Sequence, residues 1–345
     1  MEKKTICMLP EITSLGGPGT FQKKFQEEAA KSGIEVHFNP ERKDIGAFLI
    51  IGAPRRYIPY LLRARLCNIP VIQRLNGMNW IHQVVDSGLK YYLHSEFDNL
   101  SIAFVRRWIA SGIIYQSPFC EERWNKKFGV LKKPVKIIYN GVNLDDFKPS
   151  ETTPDSHSIQ IMMVEGNLEH GSEYGIEIAI RMILGLSEIF PCSIVLQIAG
   201  NVNPQSRERI QATFNALPSH VQVNFLGVLP KQEIAALESQ STFFYSAEIL
   251  TACPNSVIEA LACGLPVLGF DTGSLKDVVG DGGIVISYGA DYLKLEEPDI
   301  KGLIQAAETI VRDNLKYRIR ARKRAENVFP LDQMTLDYIR FCLKD

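Results

Sequence analysis

Thr251-Ala252-Cys253-Pro254-Asn255-Ser256-Val257-Ile258-Glu259-Ala260-Leu261-Ala262-Cys263-Gly264-Leu265-Pro266-Val267-Leu268-Gly269-Phe270-Asp271-Thr272-Gly273 reads as loop, short helix, turn, strand and loop. Pro254 and Asn255 break the chain. Asn255 or Ser256 can cap a helix, because either side-chain oxygen accepts a free amide of the first turn. Ala260, Leu261 and Ala262 favour helix. Gly264 suits the left-handed position after the last turn, and Pro266 prevents continuation. Val267 to Phe270 reads as a buried strand. The first amides of such a helix have no partner within it and carry the positive end of its dipole, so they can hold a phosphate or a carboxylate. Glu259 points back toward the same loop, within reach of a ligand's hydroxyls. Ser256-x-x-Glu259 is also the pattern of a capping box, in which the glutamate satisfies a backbone amide. Spacing alone leaves both readings open.

Outward from this stretch, 345 residues exceed one ordinary core, so two domains are expected. Hydrophobic content of 46% with 22% charged residues is a globular balance. No apolar run approaches the length that spans a bilayer. The apolar stretch after Lys3 and Lys4 ends at Pro10, too short for a signal peptide and fitting a first strand. Seven scattered cysteines with no Cys-x-x-Cys pair read as reduced, mostly buried thiols of a cytosolic protein. Six histidines show no metal-ligand spacing, so neither a metal nor another cofactor is expected. The net charge of −1 hides an asymmetry. Residues 1–150 carry 13 lysines and 9 arginines against 14 acids, a net +8, and residues 151–345 carry −9. The basic half suits an anionic partner or is a solvated surface. Nucleic acid is not expected among the partners.

Along the chain, strands alternate with helices. Thr5 to Leu9 is followed by Gly16-Gly17-Pro18-Gly19 and a helical pattern to about Ser32. This is neither the dinucleotide fingerprint nor a P-loop, but such glycines admit a ligand close to the backbone. Strands follow near 34–38 and 47–51, and Val71 and Ile72 start a fourth that runs into Arg74-Leu75-Asn76. Polar residues at the C-terminal end of a parallel strand sit where such sheets bind ligands, so Arg74 and Asn76 are site candidates, with His82 beyond them. A helical region near 94–111, a strand near 112–116 and a strand near 135–139 complete this half. Residues 150–157 read as the linker. The alternation then restarts, with strands near 159–164, 193–199, 221–226, 242–246, 267–270 and 283–286. A long helix is expected over 300–326, its Arg318, Arg320, Arg322, Lys323 and Arg324 forming a solvated face. A last helix follows Pro330. Two successive α/β units with parallel sheets result.

Ala252 to Val267 resembles the donor-site signature of the GT-B-fold glycosyltransferase family 4. Tyr139-Asn140-Gly141-Val142-Asn143-Leu144-Asp145-Asp146-Phe147-Lys148-Pro149 resembles the segment that ends that family's first domain. Val223 to Leu229 resembles its nucleobase loop, and Gly16-Gly17 its first glycine loop. The resemblance implies an α/β GT-B fold, with two Rossmann-like domains facing across a cleft. It implies a retaining, metal-independent transferase using a UDP- or GDP-sugar, with an anionic or membrane-associated acceptor open. An acceptor domain would cover 1–154, a donor domain 155–329, and helix 330–345 would pack back on the first. Glu259 would hold the donor ribose, and Asn255, Ser256 and Val257 the diphosphate or ribose. Val228 would touch the base through its backbone, and Gly16 and Gly17 would leave room for phosphates. Three positions depart from the pattern. Thr251 stands where the family has a glutamate beside the transferred sugar. Asn167 and Ser172 stand where it has an arginine and a lysine on the diphosphate. Thr251, Asn167 and Arg74 are therefore the positions on which the chemistry turns. A transferase, and a non-catalytic sugar- or nucleotide-binding protein partnering one, are both compatible with them. The expected location is cytoplasmic or peripheral at the inner membrane surface, without a transmembrane segment.

Overall fold

The computed structural model describes residues 5–13, 17–80, 82, 88–150, 158–168, 173–212 and 217–344. The expected linker lies outside these residues except for Ser150. The chain divides into two compact units, Met1–Gly141 with Phe329–Asp345, and Val142–Val328.

In the first unit, β1 (Thr5–Leu9), β2 (Val36–His37), β3 (Ile45–Ile51), β4 (Val71–Leu75), β5 (Gly112–Tyr115) and β6 (Val135–Ile137) form one sheet in the order β2-β1-β3-β4-β5-β6. Every pairing is parallel. Parallel strands are covered on both faces, so they read as unbroken apolar runs, and all of Thr5–Leu9 is buried. The helix Leu331–Leu343 belongs to this unit. Its Met334, Tyr338, Ile339, Cys342 and Leu343 share a core with Phe21, Phe25 and residues of β1 and β3. The Tyr338 ring lies 5.1 Å from Phe21 and 5.6 Å from Phe25. A Cβ on Gly141 would come within 2.8 Å of the Leu331 backbone, so only glycine lets the two segments meet there.

In the second unit, β7 (Ser158–Leu168), β8 (Ser193–Val202), β9 (Val221–Gly227), β10 (Phe243–Ser246), β11 (Val267–Phe270) and β12 (Gly283–Ile286) form a parallel sheet in the order β12-β11-β10-β7-β8-β9. Helices flank it at Glu173–Ile189, Pro204–Gln211, Lys231–Gln240, Asn255–Ala262, Leu275–Val279, Ile300–Arg312 and Asn314–Val328.

Three expectations are corrected. The long helix over 300–326 is two helices broken at Asp313, where the Asn314 side chain donates to the Thr242 carbonyl at 2.7 Å and pins the break. The helix expected from His94 starts at Leu89, and after Phe104 it widens into a π turn over Val105–Ile109. The basic run is not a solvated face throughout. Arg320 and Lys323 are exposed, but Arg318, Arg322 and Arg324 each close the C-terminal end of a different helix. Arg318 donates to the Ser239 and Ser241 carbonyls at 2.7 and 2.8 Å. Arg322 donates to the Ala262 carbonyl at 2.7 Å, and Arg324 to the Asp277 carbonyl at 2.6 Å. A cation on the last carbonyls satisfies them and complements the helix dipole. Arg322→Met should therefore lower the stability of the protein by about 2 kcal/mol. Arg320→Met, on the same helix but exposed, should change it by less than about 0.5 kcal/mol; denaturant melts followed by circular dichroism measure both.

Candidate functional site

The second sheet changes direction between β7 and β10. The chain lays β8 and β9 on one side of β7, then returns to place β10, β11 and β12 on the other. Open parallel sheets bind ligands at the carboxyl ends of the strands on either side of such a switch, here β7 and β10.

The segment after β10 is held by the one after β11. The Leu250 amide donates to the Thr272 carbonyl at 2.9 Å, and the Ser274 amide to the Thr251 carbonyl at 3.0 Å. The Thr272 hydroxyl donates to the Glu248 carbonyl at 3.1 Å. Leu250 itself has φ 56°, a left-handed conformation that costs a non-glycine residue energy and that these bonds offset. A Cβ on Gly273 would sit 2.9 Å from the Thr251 amide nitrogen, so glycine permits the two segments to touch.

This clamp leads into the Asn255–Ala262 helix. The expected cap by Asn255 or Ser256 is absent. The N-cap is Pro254, and no side chain caps the helix. Proline has no side-chain oxygen to offer, and it shifts Asn255 and Ser256 to the first two helical positions. Glu259 is then the fifth, too far along for a capping box. The Ile258 amide is the first to reach back, to the Pro254 carbonyl at 3.3 Å. The amides of Asn255, Ser256 and Val257 thus lie before the intrahelical ladder begins. Val257 has a fully buried side chain, which leaves only its backbone for a ligand.

Two carboxyls meet at this switch. Burial pushes the Glu165 carboxyl well above the usual glutamate range, and the charge of Glu248 adds to this. Burial raises Glu248 as well, against a hydrogen bond from Thr251 that lowers it. Behind the helix, Glu238 is fully buried. Its carboxyl is pushed well up by burial and then by the charge of Glu259, while the Cys263 thiol donates to its Oε2 at 3.5 Å.

The structure thus brings Thr251, Asn255, Ser256, Val257 and Glu259 together in one loop and helix start. Asn167 is in β7, opposite Asn201 of β8 after a shift in register. Val228 is exposed after Gly227, whose φ of 70° turns the chain out of β9. Gly16 and Ser172 lie outside the described residues. Gly17, Arg74, Asn76 and His82 belong to the first unit. Gly17 is exposed in the first turn of the helix Gly17–Lys31. Arg74 is buried, with its guanidinium 4.0 Å from the Phe21 ring centroid. It donates to the Tyr338 hydroxyl at 3.1 Å, Asn76 Oδ1 at 2.6 Å and Asn140 Oδ1 at 2.8 Å. Arg74 therefore ties β4 to the Leu331–Leu343 helix, and Asn76 holds its guanidinium. His82 is buried, with Nε2 2.8 Å from Glu96. The Glu165–Glu248 pair was not among the expected site residues. Its signal in the sequence is a charged residue ending the apolar run Ile159–Val164, at the end of a buried parallel strand.

Among the described residues, no cluster of histidine, cysteine or acids could hold a metal ion. No helix there is long and apolar enough to cross a membrane.

These two sheets, with helices flanking them, make the GT-B fold, and comparison with solved structures gives the same result over the whole chain. Sucrose-phosphate synthase (tll1590) from Thermosynechococcus elongatus is 16% identical, with a TM-score of 0.72 and 98% of each chain covered. Anabaena Alr3699/HepE, solved with UDP and glucose, is 14% identical, with a TM-score of 0.69, covering 99% of this chain and 100% of that one. WaaG, a glycosyltransferase involved in lipopolysaccharide biosynthesis, is 14% identical, with a TM-score of 0.68 and the same coverage. Residues 171–328 match the family model "Glycosyl transferases group 1". A comparison with curated proteins found no match.

Glu238 gives this region a pH signature. Its carboxyl titrates near 4.5 in a free chain and well above that in the fold. The folded state keeps a proton that the unfolded state loses, so this group costs stability as pH rises past about 4.5. Glu238→Gln should therefore improve the melting temperature, relative to the parent, more at about pH 8 than at about pH 5. An equal difference at both values would show Glu238 to be ionised in the fold.

Proposed function

We propose that the protein is a retaining glycosyltransferase that moves a hexose from a UDP- or GDP-sugar to an unidentified acceptor, in glycan or cell-surface polysaccharide biosynthesis. The observation that carries this reading is the uncapped start of the Asn255–Ala262 helix at the β7–β10 switch. The Val142–Val328 unit takes the donor. The amides of Asn255, Ser256 and Val257 receive the diphosphate, Glu259 the ribose, and the Val228 backbone the base. As the sugar leaves, negative charge grows on the departing diphosphate, and fixed amide dipoles stabilise it without having to reorganise. No metal is required for this. Glu248, steadied by Thr251, supplies a carboxyl beside the sugar, with Glu165 near enough to feel its charge. Asn167 lies on the same side, at the end of β7.

The first unit takes the acceptor, near Asn76 and His82. Its net positive charge suits an anionic or membrane-associated molecule. The location that follows is cytoplasmic and peripheral at the inner membrane surface, in keeping with seven free cysteines. Thr251 and Asn167, which replace an acid and a cation of the family pattern, support a second reading: a nucleotide-sugar binding protein that partners an active transferase.

Thermal melts with UDP, GDP and their sugars, together with assays of nucleoside diphosphate release, separate these. One nucleotide at saturating concentration should stabilise the fold by about 2–4 kcal/mol. Asn255→Pro deletes one amide, and its ring fits the first helical position after an extended Pro254 (φ −73°, ψ 119°). It should weaken nucleotide binding about tenfold, whereas Asn255→Ala should not. Glu248→Gln should slow turnover and leave nucleotide binding in place. Binding without turnover supports the partner reading; no stabilisation by any nucleotide sinks both.

A further inference from the structure

A helix on a protein surface ordinarily buries its apolar stripe and exposes its polar one. The Leu89–Phe104 helix does the reverse. Ser95 and Asn99 face inward, and Asn99 is completely buried. Its side chain accepts from the Asn79 amide and donates to the Asn79 carbonyl, both at 3.0 Å, which commits the polar face to the interior. Leu89, Leu93, Phe97, Leu100 and Phe104 are all more than half exposed, at 74, 58, 55, 57 and 52%. Steps of four, four, three and four residues place them on one face. Trp108, four residues further along in the π turn, is 67% exposed. The helix Ile58–Leu66 shares a core with this turn through Leu61, Ala64, Val105 and Ile109, and it presents exposed Leu62 and Leu66.

The charge around this stripe says what would cover it. Residues from Arg55 to Lys133 carry 8 arginines and 5 lysines against 5 acids, and of these arginines only Arg74 and Arg106 are buried. Arg55 stands 4.7 Å from the Phe97 ring centroid, and Arg107 stands 5.6 Å from that of Trp108. Lys133 donates to the Arg106, Arg107 and Ala110 carbonyls at 2.7, 3.1 and 2.7 Å. Burial, then the charges of Arg65, Arg106 and Arg107, draw its ammonium down to about 8. A second copy of this chain would bring a like-charged face. A lipid surface offers apolar depth and negative charge together, with tryptophan at the level of the headgroups.

We infer that the Leu89–Phe104 stripe with Trp108 is a docking surface for an anionic lipid bilayer, the helix lying in the plane of the interface. This deepens the peripheral location proposed above and rests on it; donor binding by the Val142–Val328 unit is independent. The test is sedimentation of the full chain, without nucleotide, with vesicles of phosphatidylcholine alone or mixed with phosphatidylglycerol. The protein should pellet with the mixed vesicles, bind the neutral ones at least about tenfold more weakly, and lose affinity in high salt. Trp108 emission should shift to the blue on binding, and Trp108→Phe should abolish the shift. A Leu93→Ser/Phe97→Ser variant should bind at least about a hundredfold more weakly. Because both side chains are exposed, its melting temperature and its response to nucleotide should match the parent. No vesicle binding by the parent, or unchanged binding by the variant, overturns the inference. So does a parent dimer in analytical ultracentrifugation that the variant abolishes, which would assign the stripe to a second copy. Nucleotide melts in free solution report on the donor reading separately.

Discussion

The hydrogen bond from Arg322 to the last carbonyl of the Asn255–Ala262 helix is one of three through which a single helix organises the second unit. Each α-helix leaves amides unsatisfied at one end and carbonyls at the other. In a parallel α/β unit the connecting helices run against the strands, so their amide ends face the strands' C-terminal edge. Asn314–Val328 closes three carbonyl ends with Arg318, Arg322 and Arg324, and sets three helices against one backbone. The opposite end of the Asn255–Ala262 helix is thereby placed, and no side chain caps it. Cations on the carbonyls and an anion on the amides are two halves of one electrostatic arrangement.

The acids fit the same logic. This part of the chain is net negative, which ought to repel a diphosphate. Burial pushes the carboxyls of Glu165, Glu248 and Glu238 upward, which disfavours their charged forms. Shifted carboxyls of this kind gather at functional sites.

Where local chemistry decides, the sequence could be read. Gly264, with φ 67°, and Pro266 end the helix and start β11 at the expected residues, and the alternation of strand and helix gave both parallel sheets. Where a distant partner decides, it could not. The break at Asp313 depends on a carbonyl of Thr242, some seventy residues earlier in the chain, and no local breaker marks it. The arginine run has the composition of a solvated face because its partners are backbone carbonyls, which have no residue signature. Glu165 and Glu248 are unremarkable apart from each other. The Leu89–Phe104 helix has an amphipathic pattern, but periodicity does not say which face points outward.

Both sheets are six-stranded and parallel but differ in strand order, the second placing two strands rather than one beyond its switch point. In the first unit, the segment leaving β1 is satisfied from within: the Gln22 side chain donates to the Pro10 carbonyl at 2.6 Å and accepts from the Ile12 amide at 2.9 Å. Nearby, the Arg74 cation rests on Phe21 and is engaged by Tyr338, Asn76 and Asn140. In the second unit, the helix start after β10 has no side-chain cap, and the charge of Glu248 reaches the Glu165 carboxyl. Buried polar groups normally find partners inside the protein. A strand edge that supplies its own partners needs nothing further, whereas a helix start without a side-chain cap has amides to offer a ligand. That difference, rather than the fold the two units share, is what supports the proposal of a nucleotide on Val142–Val328.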